Sequence, residues 1–401
     1  MDEAPSIRRP SRAEFLRVAA RMGTGAFGSS QRVVGQLEQA LVHRERWLSA
    51  TEYTAVQPVV DLLPGAPSAN TLALLGQRFG GWTWSLGGYL AFVLPGVLIT
   101  VVLAVLYVQL DLGTRAEPVF RGFGSAAVGV ILALTLRRVR GAITQRWQML
   151  IAGASLLLTV AGKASPTEVV LLGAAGGLAV ELGTRRRKPA TTPMPEVPAG
   201  PASSSTTLHS VLLAAVGAAA VAHASGLDVQ VVEALVLYFR TGLGAYGGGL
   251  AVIPHLSERL DALEWLTRRQ FADAVSVALL TPGPVLRVAT FAGYVHHGAA
   301  GAVAATLALF SAPWVVARLA GGWLERVRNH PVATAAASGL HPAVIGLMAS
   351  AALVQGSNFH GPTGLGIAAA SALTLVRWDF NPAVVVLVGG ALRLGLHLAG
   401  V

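Results

Sequence analysis

Residues 21–28 read Arg-Met-Gly-Thr-Gly-Ala-Phe-Gly, and residues 240–247 read Arg-Thr-Gly-Leu-Gly-Ala-Tyr-Gly. Five of the eight positions are identical, and an aromatic ring is kept where Phe27 aligns with Tyr246. Further matches follow in the same order: Trp47-Leu48-Ser49 with Trp265-Leu266-Thr267, Pro64-Gly65 with Pro282-Gly283, and Pro95 with Pro313. The offset is 219 residues in the first block and 218 afterwards, so a single one-residue gap aligns all four. Ordered matches on one diagonal mark two copies of one unit. In an apolar chain, a duplicated unit punctuated by Gly and Pro is a common plan of secondary transporters.

Composition agrees with that plan. Of 401 residues, 53% are hydrophobic and 12% charged, with a mean hydropathy of +0.58. A soluble domain carries roughly 25% charged residues, about twice this share. Apolar runs close to the ~20 residues of a bilayer span recur along nearly the whole sequence. The chain therefore reads as an all-α polytopic integral membrane protein. The first residues contain no apolar core, so no cleaved leader is expected. Net charge is +10, from 30 Lys and Arg against 20 Asp and Glu. These basic residues sit in short loops, as cytoplasmic loops do, and not along one polar element that would grip nucleic acid. Cysteine is absent, which removes disulfides and thiolate metal sites.

About thirteen candidate spans can be drawn. In the first half they lie near 15–37, 52–76, 83–108, 117–137, 146–162 and 165–183. A linker follows, opened by Arg185-Arg186-Arg187-Lys188 and rich in Pro, Ser and Thr up to Thr207. A linking span near 208–224 precedes six more, near 230–254, 269–295, 299–322, 332–355, 361–377 and 381–399. Residues 1–184 form the first repeat, 185–228 the linker with its span, and 229–401 the second repeat. One span between two six-span units turns the second copy upside down. With the N-terminus inside, Arg137, Arg138, Arg140, Arg185–Lys188, Arg268, Arg269, Arg326 and Arg328 fall in cytoplasmic loops and the C-terminus lies outside. Arg44 and Arg46 break this pattern, which points to shorter or re-entrant first spans.

The candidate site residues are those that disrupt helices or carry charge within apolar runs. Pro64-Gly65 and Thr281-Pro282-Gly283-Pro284 each interrupt such a run. Proline removes a backbone donor, glycine lets the chain reverse, and irregular backbone at membrane depth persists only beside protein or a wet cavity. A break of this kind starts a new half-helix whose free N–H groups can face an anion. The run Tyr246-Gly247-Gly248-Gly249 costs about 1 kcal/mol of helix propensity per glycine, so it suits an unwound segment or very close packing. Its counterpart Gly28-Ser29-Ser30 adds two hydroxyls. Intramembrane charges are functional candidates by default: Arg21 and Arg240 at equivalent positions, Arg287 after the second break, and Asp61 before the first as a candidate coupling carboxylate. No His, Asp and Glu spacing resembles a metal site, and neither a phosphate loop nor a hydrolase motif is present, so no cofactor and no enzyme activity are expected.

Taken together, Arg240-Thr241-Gly242, Tyr246 to Gly249, Pro254, Trp265-Leu266-Thr267, Phe271, Thr281 to Pro284 and Thr290 to Tyr294 resemble the chromate ion transporter family. The resemblance to its two-copy, inverted form of about 400 residues covers essentially the whole chain. It implies export of chromate across the inner membrane, with sulfate as the related oxyanion and chromate resistance as the outcome. It also implies that Asn70 supplies the polar amide that follows the first Pro-Gly motif. The first half departs from the family pattern at Phe27-Gly28-Ser29-Ser30 and at Pro64-Gly65-Ala66. Arg287 and Asp61 are additions to it.

The sequence thus predicts two inverted-topology repeats of about six helices with one linking helix, broken at Pro-Gly motifs. The expected partners are the oxyanion and the lipid bilayer, and a homo-oligomer is compatible with the sequence. Alternatives are a transporter of sulfate or another oxyanion, and a membrane-embedded enzyme acting on a lipid or phosphorylated substrate. The sharpest expectation is that Arg21 and Arg240 converge on one cavity, with Arg138 outside it as a loop residue.

Overall fold

The computed structural model describes residues 7–28, 30–185, 229–321, 331–358, 361–378 and 380–400. Ser29, most of the linker, the linking span 208–224, Arg326 and Arg328 lie outside the described residues. Among those described there is no strand. The first half builds α1 (Arg12–Thr24), α2 (Ser30–Glu38) prolonged by a π-helical turn (Gln39–Arg44), α3 (Ala50–Val60), α4 (Pro67–Gly80), α5 (Trp82–Gln109), the single turn α6 (Leu112–Arg115), α7 (Glu117–Ala142), α8 (Arg146–Val160) and α9 (Pro166–Arg185). The second half builds α10 (Val229–Leu243), a 3-10 segment (Gly247–Val252), α11 (Ile253–Ala262), α12 (Arg268–Leu280), a 3-10 turn (Val285–Arg287), α13 (Val288–Ala320), α14 (Pro331–Gly356), α15 (Pro362–Trp378) and α16 (Pro382–Leu398).

Matched sequence signals produce matched local structure. Ser49 caps α3 and Thr267 caps α12, each accepting from the amide of the third helical residue. Glu52 and Gln270 complete the two capping boxes by accepting from the cap amides. The residues before the paired tryptophans, Arg46 and Glu264, both turn the chain with positive φ, 55° and 58°. At the Pro-Gly breaks Gly65 and Gly283 have φ of 100° and 103°, a region that side chains with a Cβ rarely enter. Further on, Gly81 separates α4 from α5, and Gly298 kinks α13 with His297.

The runs 15–37, 52–76, 230–254 and 269–295 differ from the single spans that hydropathy predicts. Each contains two helical segments that meet at a Gly or Pro break, the last of these segments being the part of α13 before Gly298, where Gly293 packs against Gly301. In the first half both hairpins open on the same face. The Arg8 amide donates to Arg46 O, Arg78 pairs with Glu52, and Phe15, Trp47, Phe79 and Trp84 stack into one aromatic cluster. Both hairpin ends share that face, so Arg44 and Arg46 lie with Arg8. In the second half Trp265, before α12, stacks on His296 in α13 with ring centroids 4.4 Å apart. That end of the molecule also holds the α5–α6 loop, because Arg269 donates to Gly113 O at 2.8 Å and pairs with Glu117 at 3.0 Å. Arg268 and Arg269 therefore lie at the opposite end of α7 from Arg137, Arg138 and Arg140, and not beside them as the sequence suggests.

Five described helices are long and apolar enough to cross a membrane: Trp82–Gln109, Glu117–Ala142, Pro166–Gly183, Val285–Ala320 and Pro331–Gly356. Arg146–Val160 and Pro382–Leu398 are shorter apolar helices. Their outer faces present Leu98, Leu150, Leu157, Leu365 and Leu398, the surface a lipid-solvated helix needs. The chain is an all-helical membrane protein. Small residues bring the two halves together. Gly122 lies against Gly390 and Arg393 while Ala126 meets Gly389, so α7 and α16 run antiparallel. Gly173 meets Ala343 and Gly177 meets Ala335, which makes α9 and α14 antiparallel too. Conversely, α7 runs parallel to α15, since Gly129 lies on Ser371 and Arg137 donates to Leu375 O.

Candidate functional site

The helix breaks of the two halves hold each other. The Gly65 amide donates to Ala245 O at 2.7 Å, and the Gly283 amide donates to Ala26 O at 2.8 Å. Thus each Pro-Gly turn is pinned by the Gly-Ala segment of the opposite half. Asn70, fully buried, donates its amide N–H to Pro64 O at 2.7 Å and so fixes the first turn, leaving its Oδ1 without a hydrogen-bond partner. The second turn is fixed by Arg287, which is also fully buried. Its guanidinium donates to Ala278 O, Thr281 O and Thr281 Oγ1 at 2.8–3.2 Å, satisfying carbonyls at the end of α12. The remaining nitrogen, Nη1, has no hydrogen-bond partner and lies behind Gly283, where a Cβ would come within 2.4 Å of it.

Where these breaks meet there is a cavity of about 110 Å³, room for several waters or one small anion. Gly28 and Ser30 line it from the first half, and Gly247, Gly248, Thr281 and Gly283 from the second. The contact is close: a Cβ on Gly248 would stand 2.3 Å from Ser30 Oγ. The sequence-predicted residues Pro64, Gly65, Asn70, Tyr246, Gly249, Pro282, Pro284 and Arg287 are not on the cavity wall but shape the backbone behind it. Gly249 backs onto Leu286, and Pro284 O accepts from the Arg287 amide.

The cations of this cavity are not Arg21 and Arg240. Arg21 lies exposed at the end of α1, 3.8 Å from Glu45. Arg240 lines a different cavity, of about 510 Å³, with Glu168, Glu233, His255 and Arg259. The structure does not bring the two arginines together. Instead Arg137 and Arg138 line the central cavity. They read as a loop because the apolar run stops before them, yet α7 continues helically to Ala142. No breaker stands between Val130 and Arg140, which is the signal that would have kept them in the helix.

Arg138 also lines an adjoining cavity of about 310 Å³, along with Ser30, Gln31, Gln57, Asp61 and His341. Asp61, exposed to that space, sits on the first break and faces Arg138 electrostatically. His341 lies inside α14 with its Nε2 buried and unpartnered. The arrangement offers two guanidinium groups, the Ser30 hydroxyl and the start of the half-helix at Val285, while the Thr281 hydroxyl is spent on the backbone of α12. Such a donor set suits an anion with several oxygens.

Comparison with known proteins gives the same direction. The chromate transporter family model matches residues 13–179 and matches again at 232–394. The chain belongs to the chromate transporter family. It is 29% identical over 396 residues to a chromate transport protein of Pseudomonas aeruginosa, covering 94% of this chain and 90% of that one. A chromate transport protein of Cupriavidus metallidurans is 28% identical over 347 residues, covering 83% and 80%. A probable chromate transport protein of Synechococcus elongatus is 27% identical over 347 residues, covering 84% and 82%. No solved structure matches this family member.

Proposed function

We propose that this chain is a secondary transporter that carries an inorganic oxyanion, chromate first, through the cavity between its broken helices. The observation that carries the reading is the convergence of glycine-rich breaks from both halves with Arg137 and Arg138 on one small cavity. Arg137 and Arg138 would balance a dianion, and their planar forks match its oxygens. Asp61 is the counter-charge to Arg138 while the site is empty, and the anion displaces it. Arg240, in the cavity on the far side of Gly244, meets the anion at entry or exit.

The architecture we infer is two inverted-topology repeats. It is supported by the exchanged hydrogen bonds of Gly65 and Gly283, and by the antiparallel α7–α16 and α9–α14 pairs. Each repeat then contributes two re-entrant hairpins and four crossing helices, with the linking span between them. Arg8, Arg44, Arg46, Arg137, Arg138 and Arg140, which outnumber Arg268 and Arg269 at the other end, favour an N-terminus in the cytoplasm and a C-terminus outside. Export is the favoured direction, because an interior potential of −100 mV contributes about 2.3 kcal/mol per exported negative charge, or about 4.6 kcal/mol for a dianion. Resistance to chromate follows from export.

Counterflow tests this. Liposomes carrying the purified protein and loaded with unlabelled chromate should accumulate labelled chromate, and sulfate inside should drive the same uptake if the site accepts both. Failure of every tetrahedral oxyanion to support counterflow would sink the transporter reading.

A further inference from the structure

We propose that Asp273 is a proton-carrying group that couples oxyanion movement to proton movement. The inference rests on the transporter reading above and deepens it. Asp273 lies in the second turn of α12, the half-helix whose far end supplies Ala278, Leu279 and Thr281 to the anion cavity. It is only 3% exposed. Its hydrogen-bond partner is neutral: the Tyr107 hydroxyl of α5 donates to Oδ2 at 2.8 Å. The Tyr107 ring is in turn held edge-on by Phe120 and Phe291, so the carboxyl sits behind an aromatic collar.

The charged groups nearby are otherwise engaged. Arg269, one turn earlier on α12, pairs with Glu117 of α7 and donates to Gly113 O. Gln355 of α14 donates to Ala272 O, and Arg393 of α16 donates to Thr363. Among the described residues no cation lies within ion-pair distance of Asp273. A carboxylate at this depth with one hydroxyl donor is costly, and a proton removes the cost. The Tyr107 hydroxyl in turn lies directly beneath the α5–α6 loop, where a Cβ on Gly113 would be 2.6 Å from it, so one hydroxyl separates the Asp273 carboxyl from that loop.

Geometry also gives the sign. Eight residues of helix separate Asp273 from Thr281, about 12 Å along the axis. An ionised Asp273 repels a dianion in the cavity, and a neutral one does not, so anion and proton occupy the protein together and move in the same direction. The unit moved then carries one net negative charge, so the membrane potential contributes half of what it contributes to a bare dianion. Asp61 is the weaker candidate for this task. It is exposed to a cavity that Arg138 also lines, so desolvation does not weigh on it.

The test uses proteoliposomes with a chromate gradient in mildly alkaline buffer, where chromate is a dianion, and a pH-sensitive dye in the lumen. The parent protein should move protons with the anion. Asp273→Asn, which keeps shape and the Tyr107 donor, should retain chromate counterflow and lose proton movement. Tyr107→Phe should keep coupling with a displaced pH profile. Proton movement persisting in Asp273→Asn, or a parent protein that moves chromate without protons, overturns the proposal. A Tyr107→Phe profile that superposes on the parent's also overturns it. Absence of chromate counterflow in the parent is a different result and strikes the transporter reading itself.

Discussion

Replacing Arg138 by Gln is the perturbation that separates the site in this structure from the one its sequence suggests. Arg138 lines the anion cavity and the adjoining cavity that holds Asp61. Its removal therefore deletes a donor and also leaves Asp61 without its counter-charge. A hydrogen bond to a charged group contributes about 1.5–3 kcal/mol. With tenfold per 1.4 kcal/mol, chromate should bind about 10- to 150-fold more weakly to Arg138→Gln. Direct Coulomb attraction, about 4 kcal/mol for unit charges 4 Å apart at an effective dielectric constant of 20, exceeds this range because it omits the desolvation of both groups. Asp61→Asn should act in the opposite direction, because it removes the group that competes with the anion. Arg21→Gln is the control. Its exposed pair with Glu45, at 3.8 Å, contributes at most about 1 kcal/mol to stability and lies on neither of these two cavities. Calorimetric titration of chromate into purified, monodisperse variants reads all three effects. Parent-like affinity in Arg138→Gln, or a larger loss in Arg21→Gln than in Arg138→Gln, would refute the reasoning.

Other consequences follow from the same geometry. Gly65→Ala combines a φ of 100° with a Cβ that would lie 2.5 Å from Pro313 Cβ, whereas Gly81→Ala has a φ of 80° and open space. Strain alone costs about 1–3 kcal/mol, so thermal unfolding in detergent should show Gly65→Ala losing clearly more stability than Gly81→Ala. Gly283→Ala would push against Arg287 Nη1, and transport should fall while insertion in the membrane is kept; normal counterflow would show that the turn tolerates a side chain. Arg240→Gln should leave equilibrium binding at the central cavity unchanged and slow transport from one face only. The chain has no cysteine, so single cysteines report sidedness directly. Arg44→Cys and Arg140→Cys should react from one side of the membrane, and Arg115→Cys, Lys163→Cys and Glu264→Cys from the other.

The positions of the breaks were legible because they answer local demands of the backbone. A left-handed turn at Gly65 or Gly283 needs glycine, a hairpin corner before Trp47 or Trp265 recurs with its cap, and these demands are written in short matched words. What hydropathy could not show is that two short helices can fold back within one apolar run. A window long enough to detect a span averages across the turn. Arg137, Arg138, Asp273 and His341 were illegible for another reason. Each is placed by the packing of α7, α12 and α14 around the hairpins, and no local pattern marks a helical arginine or histidine as facing a cavity.

The misplacement of Arg21 and Arg240 carries a more general physical lesson about duplicated chains. Equivalent residues of two inverted repeats meet only if they lie on the axis that relates the repeats. Ala26 and Ala245 are close to that axis, since each accepts a hydrogen bond from the opposite Pro-Gly turn. Arg21 and Arg240 precede those alanines by five residues. Each arginine sits three residues, about 4.5 Å, back from the end of its own half-helix, with the turn to the alanine beyond that. In the proposed inverted arrangement the two half-helices enter from opposite faces, so the displacements add and the arginines end in separate spaces. A cation that must serve the shared cavity therefore has to come from a helix that crosses beside the axis, and α7 is such a helix: it touches α14, α15 and α16 of the other half and carries Arg137 and Arg138 to the wall.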